Sequence, residues 1–152
     1  MKHYLRLLFV MLTLSAAMFA AESPFSGAWK LNVAKSKLPP PPPQSDVATV
    51  TVDDNGVKLS EEISDDKGQP LKISFEAKFD GKDYPVTGDP STDLISYQRV
   101  SANTLKSTSK KAGKITTKAT IVISKDGKVT TVHFTDYSQA KPFEGLGVYD
   151  KQ

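Results

Sequence analysis

Leu71-Lys72-Ile73-Ser74-Phe75-Glu76-Ala77-Lys78-Phe79 carries an apolar residue at every odd position and a polar one at every even position. Successive side chains of an extended strand point to opposite faces, so this stretch predicts a strand with one buried and one wetted side. Val57-Lys58-Leu59-Ser60-Glu61-Glu62-Ile63 alternates in the same way, and so does Ile115 to Ile123, with Thr117 in the apolar phase. No stretch after Val47 shows a helical period. Asp54-Asn55-Gly56, Asp65-Asp66-Lys67-Gly68, Asp80-Gly81, Ala112-Gly113-Lys114 and Asp126-Gly127 separate the runs. Asx-Gly pairs tolerate the positive φ angles that tight hairpins need.

Worked outward from these anchors, the pattern predicts strands over residues 27–32, 47–53, 57–63, 71–79, 83–87, 94–100, 104–110, 115–124, 128–136 and 146–151. Short turns join nearly all of them, which makes sequential strands antiparallel neighbours. A meander of about ten strands either closes or leaves two long open edges. With one apolar face per strand, closure into an all-β, antiparallel up-and-down barrel satisfies both the edges and the core. A two-sheet sandwich is the alternative; its long crossovers are missing after residue 46.

One segment breaks the rhythm. Residues 33–46 contain Pro39-Pro40-Pro41-Pro42-Pro43. Five prolines favour a polyproline II rod, at roughly 3.1 Å per residue about 15 Å long. This proline-rich strap after the first strand is long enough to cross a small barrel's open end. A surface strap or a proline-motif docking site are its other readings.

Residues 1–20 read as a signal peptide, leaving 21–152 as the barrel domain. Lys2 and Arg6 supply the positive start, Leu7 to Phe19 is apolar but for Thr13 and Ser15, and Ala20 and Ala21 follow. That run falls short of the roughly 20 residues needed to span a bilayer, so no stable membrane insertion is expected once it is removed. The expected destination is the periplasm or the extracellular space. There is no cysteine, so packing rather than disulfides must hold the chain. The 20 basic and 17 acidic residues become 18 and 17 without the leader, a near-neutral balance that does not suit nucleic acid.

Phe25-Ser26-Gly27-Ala28-Trp29-Lys30-Leu31 opens the mature chain. A Gly-x-Trp at the first strand, with a phenylalanine two residues before the glycine, resembles the start of the calycin barrels, the lipocalins and fatty-acid-binding proteins. The resemblance implies structural roles for Gly27, as a close backbone approach, and Trp29, as a plug of the barrel's bottom. Asp80-Gly81-Lys82-Asp83-Tyr84-Pro85-Val86, Gly88-Asp89-Pro90, Asp126-Gly127-Lys128 and the Val148-Tyr149-Asp150-Lys151-Gln152 ending resemble small uncharacterised secreted bacterial lipocalin-like proteins, over most of the chain. Three family features are missing. No arginine follows Arg99, which leaves Lys151 as substitute for the arginine that lipocalins lay over the tryptophan. The Arg-x-Tyr of fatty-acid-binding proteins is absent, and residues 33–46 stand where their helical lid would be.

Glu61 is a carboxylate in an apolar phase, which demands a partner, a raised pKa or water. A bulge or a wet rim would remove the demand. Arg99 shares a phase with Ile95 and Tyr97; ligand anchoring, a structural ion pair and plain exposure all remain open for it. A Glu61–Arg99 pair would join the two. Tyr84, Tyr97, Tyr137 and His133 are candidate polar wall contacts, with ordinary packing as the alternative.

No metal is expected, since one histidine outside the leader cannot build a site, and no cofactor or catalytic residue is nominated. The expected function is a secreted lipocalin-like protein enclosing a small apolar ligand, with Glu61, Arg99, Tyr97, Tyr84, Phe75 and Phe79 as ligand-binding residues. A ligand-free structural or interaction module of the envelope is second, and an isomerase-like enzyme on a calycin barrel third. The oligomeric state is left open.

Overall fold

Ten strands, each hydrogen-bonded to the next, run round a complete circle in the computed structural model, which describes residues 22–152. They are β1 (Gly27–Leu31), β2 (Ser45–Val52), β3 (Gly56–Ser64), β4 (Pro70–Lys78), β5 (Tyr84–Thr87), β6 (Leu94–Ser101), β7 (Thr104–Lys111), β8 (Lys114–Ile123), β9 (Val129–Asp136) and β10 (Phe143–Lys151). Every neighbouring pair is antiparallel, and β1 closes the ring by pairing with β10 at Trp29↔Lys151, Lys30↔Asp150 and Leu31↔Tyr149. This is the closed up-and-down barrel that the alternation predicts and that the calycin resemblance implies. The signal peptide expected over residues 1–20 lies outside the described residues.

The alternation sets which side chains face in. On β3 and β4, Val57, Leu59, Glu61, Ile73, Phe75 and Ala77 point inward, while Lys58, Glu62, Lys72 and Glu76 are exposed. One end of the barrel is sealed. Phe25, Trp29, Val52, Val57, Ala77, Leu105 and Ile123 form a buried cluster there, and Trp29 is only 3% exposed. The indole N–H donates to the Phe25 carbonyl at 2.8 Å, so the tryptophan is both buried and satisfied. Ser26 ties the incoming chain to β2, accepting from the Val52 amide at 2.9 Å. At Gly27 a Cβ would stand 2.8 Å from Lys151 Cε, and Lys151 Nζ lies 5.2 Å above the Trp29 ring. Lys151 therefore occupies the place over the tryptophan that the resemblance reserves for an arginine.

Residues 33–46 begin with a short 3₁₀ turn, Val33–Lys35. Lys37 then bridges to Leu146 through two backbone bonds of 2.7 and 2.8 Å, extending the line of β1 along β10. Pro39 and Pro40 lie against the turn before β10, beside Gln139, Lys141 and Pro142. This segment follows the barrel wall.

Two sequence expectations change. Ile115 is 40% exposed although it keeps the apolar phase of β8, because a register shift at Ser109/Lys110 pairs Ile115 with Lys110 and Thr117 with Ser109. A bulge of this kind inserts a residue and breaks the inside–outside alternation. The last strand starts at Phe143 rather than residue 146. Gly145 and Gly147 hid its beginning, and the ring of Phe134 packs where a Gly145 side chain would be.

Candidate functional site

Above the sealed end the barrel is hollow. The cavity holds about 270 Å³, the space of roughly nine waters at about 30 Å³ each. Its wall is mainly apolar, with Val50, Leu59, Phe75, Ile95, Ile121 and Val132 facing in and Trp29 at its base. Phe75 and Tyr97 stack across part of it, ring centres 5.6 Å apart. Among the described residues no lysine, arginine or histidine lines it.

Within this wall sits a pair of carboxyl groups. Glu61, on β3, faces the hollow, and its neighbour on β2, Asp46, is 5% exposed. Tyr149 on β10 donates its hydroxyl to Asp46 Oδ2 at 2.9 Å. The other oxygen, Oδ1, is buried and has no donor so long as every carboxyl is ionised. A proton on Glu61, the carboxyl that faces Asp46, would supply one. Burial and the Asp46 charge push the Glu61 carboxyl well above the usual carboxylate range, with Asp89 adding to the effect. Burial raises Asp46 too, partly offset by its bonds from Glu61 and Tyr149. Both shifts run toward one shared proton, because two adjacent buried charges of like sign are costlier than one. The same negative environment, after burial, pushes the Tyr97 and Tyr149 phenols up.

A consequence for stability follows from proton linkage. The unfolded chain releases the Glu61 proton near the ordinary value of 4.5, while the folded chain keeps it to higher pH. Above 4.5 the folded state therefore binds more protons, and stability falls as pH rises toward the folded value. Asp46 acts in the same direction. The exposed carboxylates Asp53, Glu62, Asp80, Asp93 and Asp126 are held low and act oppositely, in the more acidic range below their ordinary values. Glu61→Gln keeps a donor for Asp46 but does not titrate. The expected result is a melting temperature that declines from pH 5 to pH 8 in the parent protein and stays nearly flat in the variant, with the variant higher at pH 8. Parallel curves would show that the pair holds no proton.

Of the six expected ligand-binding residues, Glu61, Tyr97 and Phe75 line the hollow. Phe79 and Tyr84 do not; they border a groove where β4 and β5 diverge, and Tyr84 donates to Asp80 at 3.0 Å. Arg99 shares the phase of the buried Ile95 and Tyr97 but stands at another height from the hollow. Its Nη2 donates to the Asp53 carbonyl at 2.6 Å and its guanidinium lies 4.6 Å over the Phe79 ring, outside the cavity lining. The Glu61–Arg99 pair is not formed; Glu61 pairs with Asp46 instead. His133 is exposed on the outer face and Tyr137 is largely exposed.

Sequence reasoning missed Asp46, Tyr149, Thr130 and the loop residues Asp89 and Thr92, all at the hollow or its acid pair. The available signal was phase: Asp46 alternates with Ala48, Val50 and Val52. Among the described residues no cluster of three or more metal-ligating side chains occurs, and no helix is long and apolar enough to cross a membrane. No family model matches the sequence, and no curated protein compared with it does. Among solved structures, the siderocalin Ex-FABP, described as functioning through dual ligand specificities, is similar at 9% identity and a TM-score of 0.46, covering 86% of this chain and 75% of that one.

Proposed function

We propose that this is an exported binding protein whose barrel encloses a small, mainly apolar ligand without catalysing a reaction on it. The observation that carries the reading is the hollow itself: a mainly apolar chamber of about 270 Å³ above a sealed end, with a few polar groups on its wall. Ligand sites combine these features, the apolar area driving uptake and the polar groups setting orientation. The volume lies just under the roughly 300–1,000 Å³ of drug-sized pockets, which points to a smaller occupant. The leader-like residues 1–20 support export to the periplasm or the medium. The acid pair, with one Asp46 oxygen held by Tyr149 and the other without a donor, is suited to holding a polar end, and His133, on the outer face, is not placed to act as a base within the hollow.

The test is native mass spectrometry of protein purified from its host, together with titration of a fluorescent apolar dye followed through Trp29. The expected results are a co-purifying small molecule and a saturable change at one dye per barrel. Val132→Trp, which fills the hollow, should abolish dye uptake while the fold persists by circular dichroism. A protein that carries nothing and takes up no dye would overturn the reading in favour of a structural or interaction module of the envelope.

A further inference from the structure

The polar groups of the hollow are unbalanced in sign. Glu61 lines the chamber and meets Asp46 of the adjacent strand in its wall, and Asp89 reaches the same chamber from the loop after β5, yet among the described residues no basic side chain lines it. Ordinarily a buried carboxylate is compensated by a lysine or arginine. Two cations on the barrel's strands are committed elsewhere: Arg99 to the Asp53 carbonyl and the Phe79 ring, and Lys151 to the Trp29 ring. A second, independent gap lies on β9. Thr130, 8% exposed and lining the hollow, has a buried Oγ1 with no hydrogen-bond partner. Thr130 is the register partner of Tyr149, whose hydroxyl holds Asp46, so the unpaired oxygen and the acid pair share one strand-to-strand neighbourhood. Buried polar atoms are rarely left unpaired. The Thr130 hydroxyl can accept from a donor placed there, and the charge missing from the chamber is positive.

We propose that the occupant of the hollow is a small organic cation, a primary or secondary ammonium whose apolar body fills the barrel and whose nitrogen docks between Asp46 and Glu61. The inference rests on the enclosed-ligand reading above and narrows it to a chemical class. An ammonium is donor-only and carries the missing charge. In a desolvated chamber its attraction to the pair is far stronger than in water, and the same field rejects an anion of equal shape. Binding also draws the proton off Glu61: the ammonium takes its place beside Asp46, and the proton leaves to solvent. The groups that face Glu61 are Asp46 on β2, Asp89 in the β5–β6 loop, Tyr97 on β6 and Tyr149 on β10, with Ile73 beside it on β4. None of them is a cation that would oppose this exchange.

The experiment compares three probes of one shape in calorimetric titrations at pH 7: 2-phenylethylammonium, 2-phenylethanol and phenylacetate. The expected order is ammonium at least tenfold tighter than the alcohol, with phenylacetate not bound. Repeating the ammonium titration in buffers of different ionisation enthalpy should show proton release of a fraction up to one per site. Glu61→Gln and Asp46→Asn should each weaken the ammonium tenfold or more and leave the alcohol unchanged, which also shows that the variants are folded. Equal affinity for ammonium and alcohol, or preference for phenylacetate, overturns the cation assignment while leaving an enclosed apolar ligand intact. Failure of all three probes in a protein that does take up the apolar dye overturns it as well; failure of the dye too would sink the enclosed-ligand reading itself.

Discussion

Trp29→Ala is expected to lower the stability of the folded chain by about 3–5 kcal/mol, the range for deleting a large aromatic from a packed core. Whole domains are stable by only about 5–15 kcal/mol, so the variant should sit near the edge of folding. Three contributions are lost together, and their sizes differ. Burial dominates, because the ring is 3% exposed within the cluster that seals the barrel. The indole donor comes next: without it the Phe25 carbonyl, now 2.8 Å from the nitrogen, is left unpaired in the core, at about 1–3 kcal/mol. The Lys151 ammonium over the ring comes last, at about 0.5–1 kcal/mol for an exposed cation. Trp29→Ala, Trp29→Phe and Lys151→Met should therefore rank in that order in urea denaturation followed by circular dichroism, with midpoints shifting at unchanged slope. A Lys151→Met loss as large as the Trp29→Ala loss would show that the cation, not the burial, holds the barrel's base.

The fold was legible because its information is local. Alternation says which face of a strand is apolar, and Asx-Gly pairs say where strands turn; together they place nearly every hairpin within a few residues. The sites where this failed share a physical cause. Leu71 to Phe79 and Val57 to Ile63 are pure two-residue patterns, whereas β10 begins Phe143-Glu144-Gly145, where a glycine stands in for an inward side chain because Phe134 already fills its space. Ile115 obeys the period yet turns out to solvent, since a bulge is set by the pairing of two strands and not by either alone.

The candidate site was half legible for a related reason. Glu61 declared itself by standing in an apolar row. Asp46 did not, because Val47, Thr49 and Thr51 on the other phase of β2 are also β-branched and blur which row faces in. Arg99 shows the limit most clearly. The sequence left open which face of β6 points inward, and even the inward phase fixes only the side of the sheet and not the height along the barrel. Height depends on the stagger between strands as the sheet closes. That stagger sets Arg99 beside the Asp53 turn at the sealed end and sets Glu61 beside Asp46 in the chamber. A pairing between residues on β3 and β6 is a three-dimensional fact with no one-dimensional trace.

The same closure creates the barrel's weakest seam, and Gly88→Ala tests it. β5 has four residues and pairs with β4 only at Ser74↔Thr87 and Phe75↔Val86, and with β6 only at Tyr84↔Ile95 and Pro85↔Leu94. Pro85 brings no amide to the ladder. Directly after this strand, Gly88 has φ +87°, and a Cβ there would run into the Lys72 carbonyl oxygen of β4. A flexible side chain can swing aside from such a contact; a strand carbonyl cannot, so β4 and β5 must part. Gly127 supplies the control, with φ +69° and open space around its missing Cβ. Gly127→Ala should cost only the left-handed backbone penalty of about 1–2 kcal/mol. Gly88→Ala adds the separation of two strands and should cost about 3 kcal/mol or more, within the range of severe overpacking. Hydrogen exchange locates the damage: the Val86 amide, which donates to Asp93 at 2.9 Å, should lose protection before the amides of β2, β3 and β10. Because Asp89 and Thr92 reach the hollow from the loop that Gly88 begins, the variant should also release any enclosed molecule faster. Equal losses at Gly88 and Gly127, with protection at Val86 intact, would mean that strain alone governs both positions and that β5 does not gate the chamber.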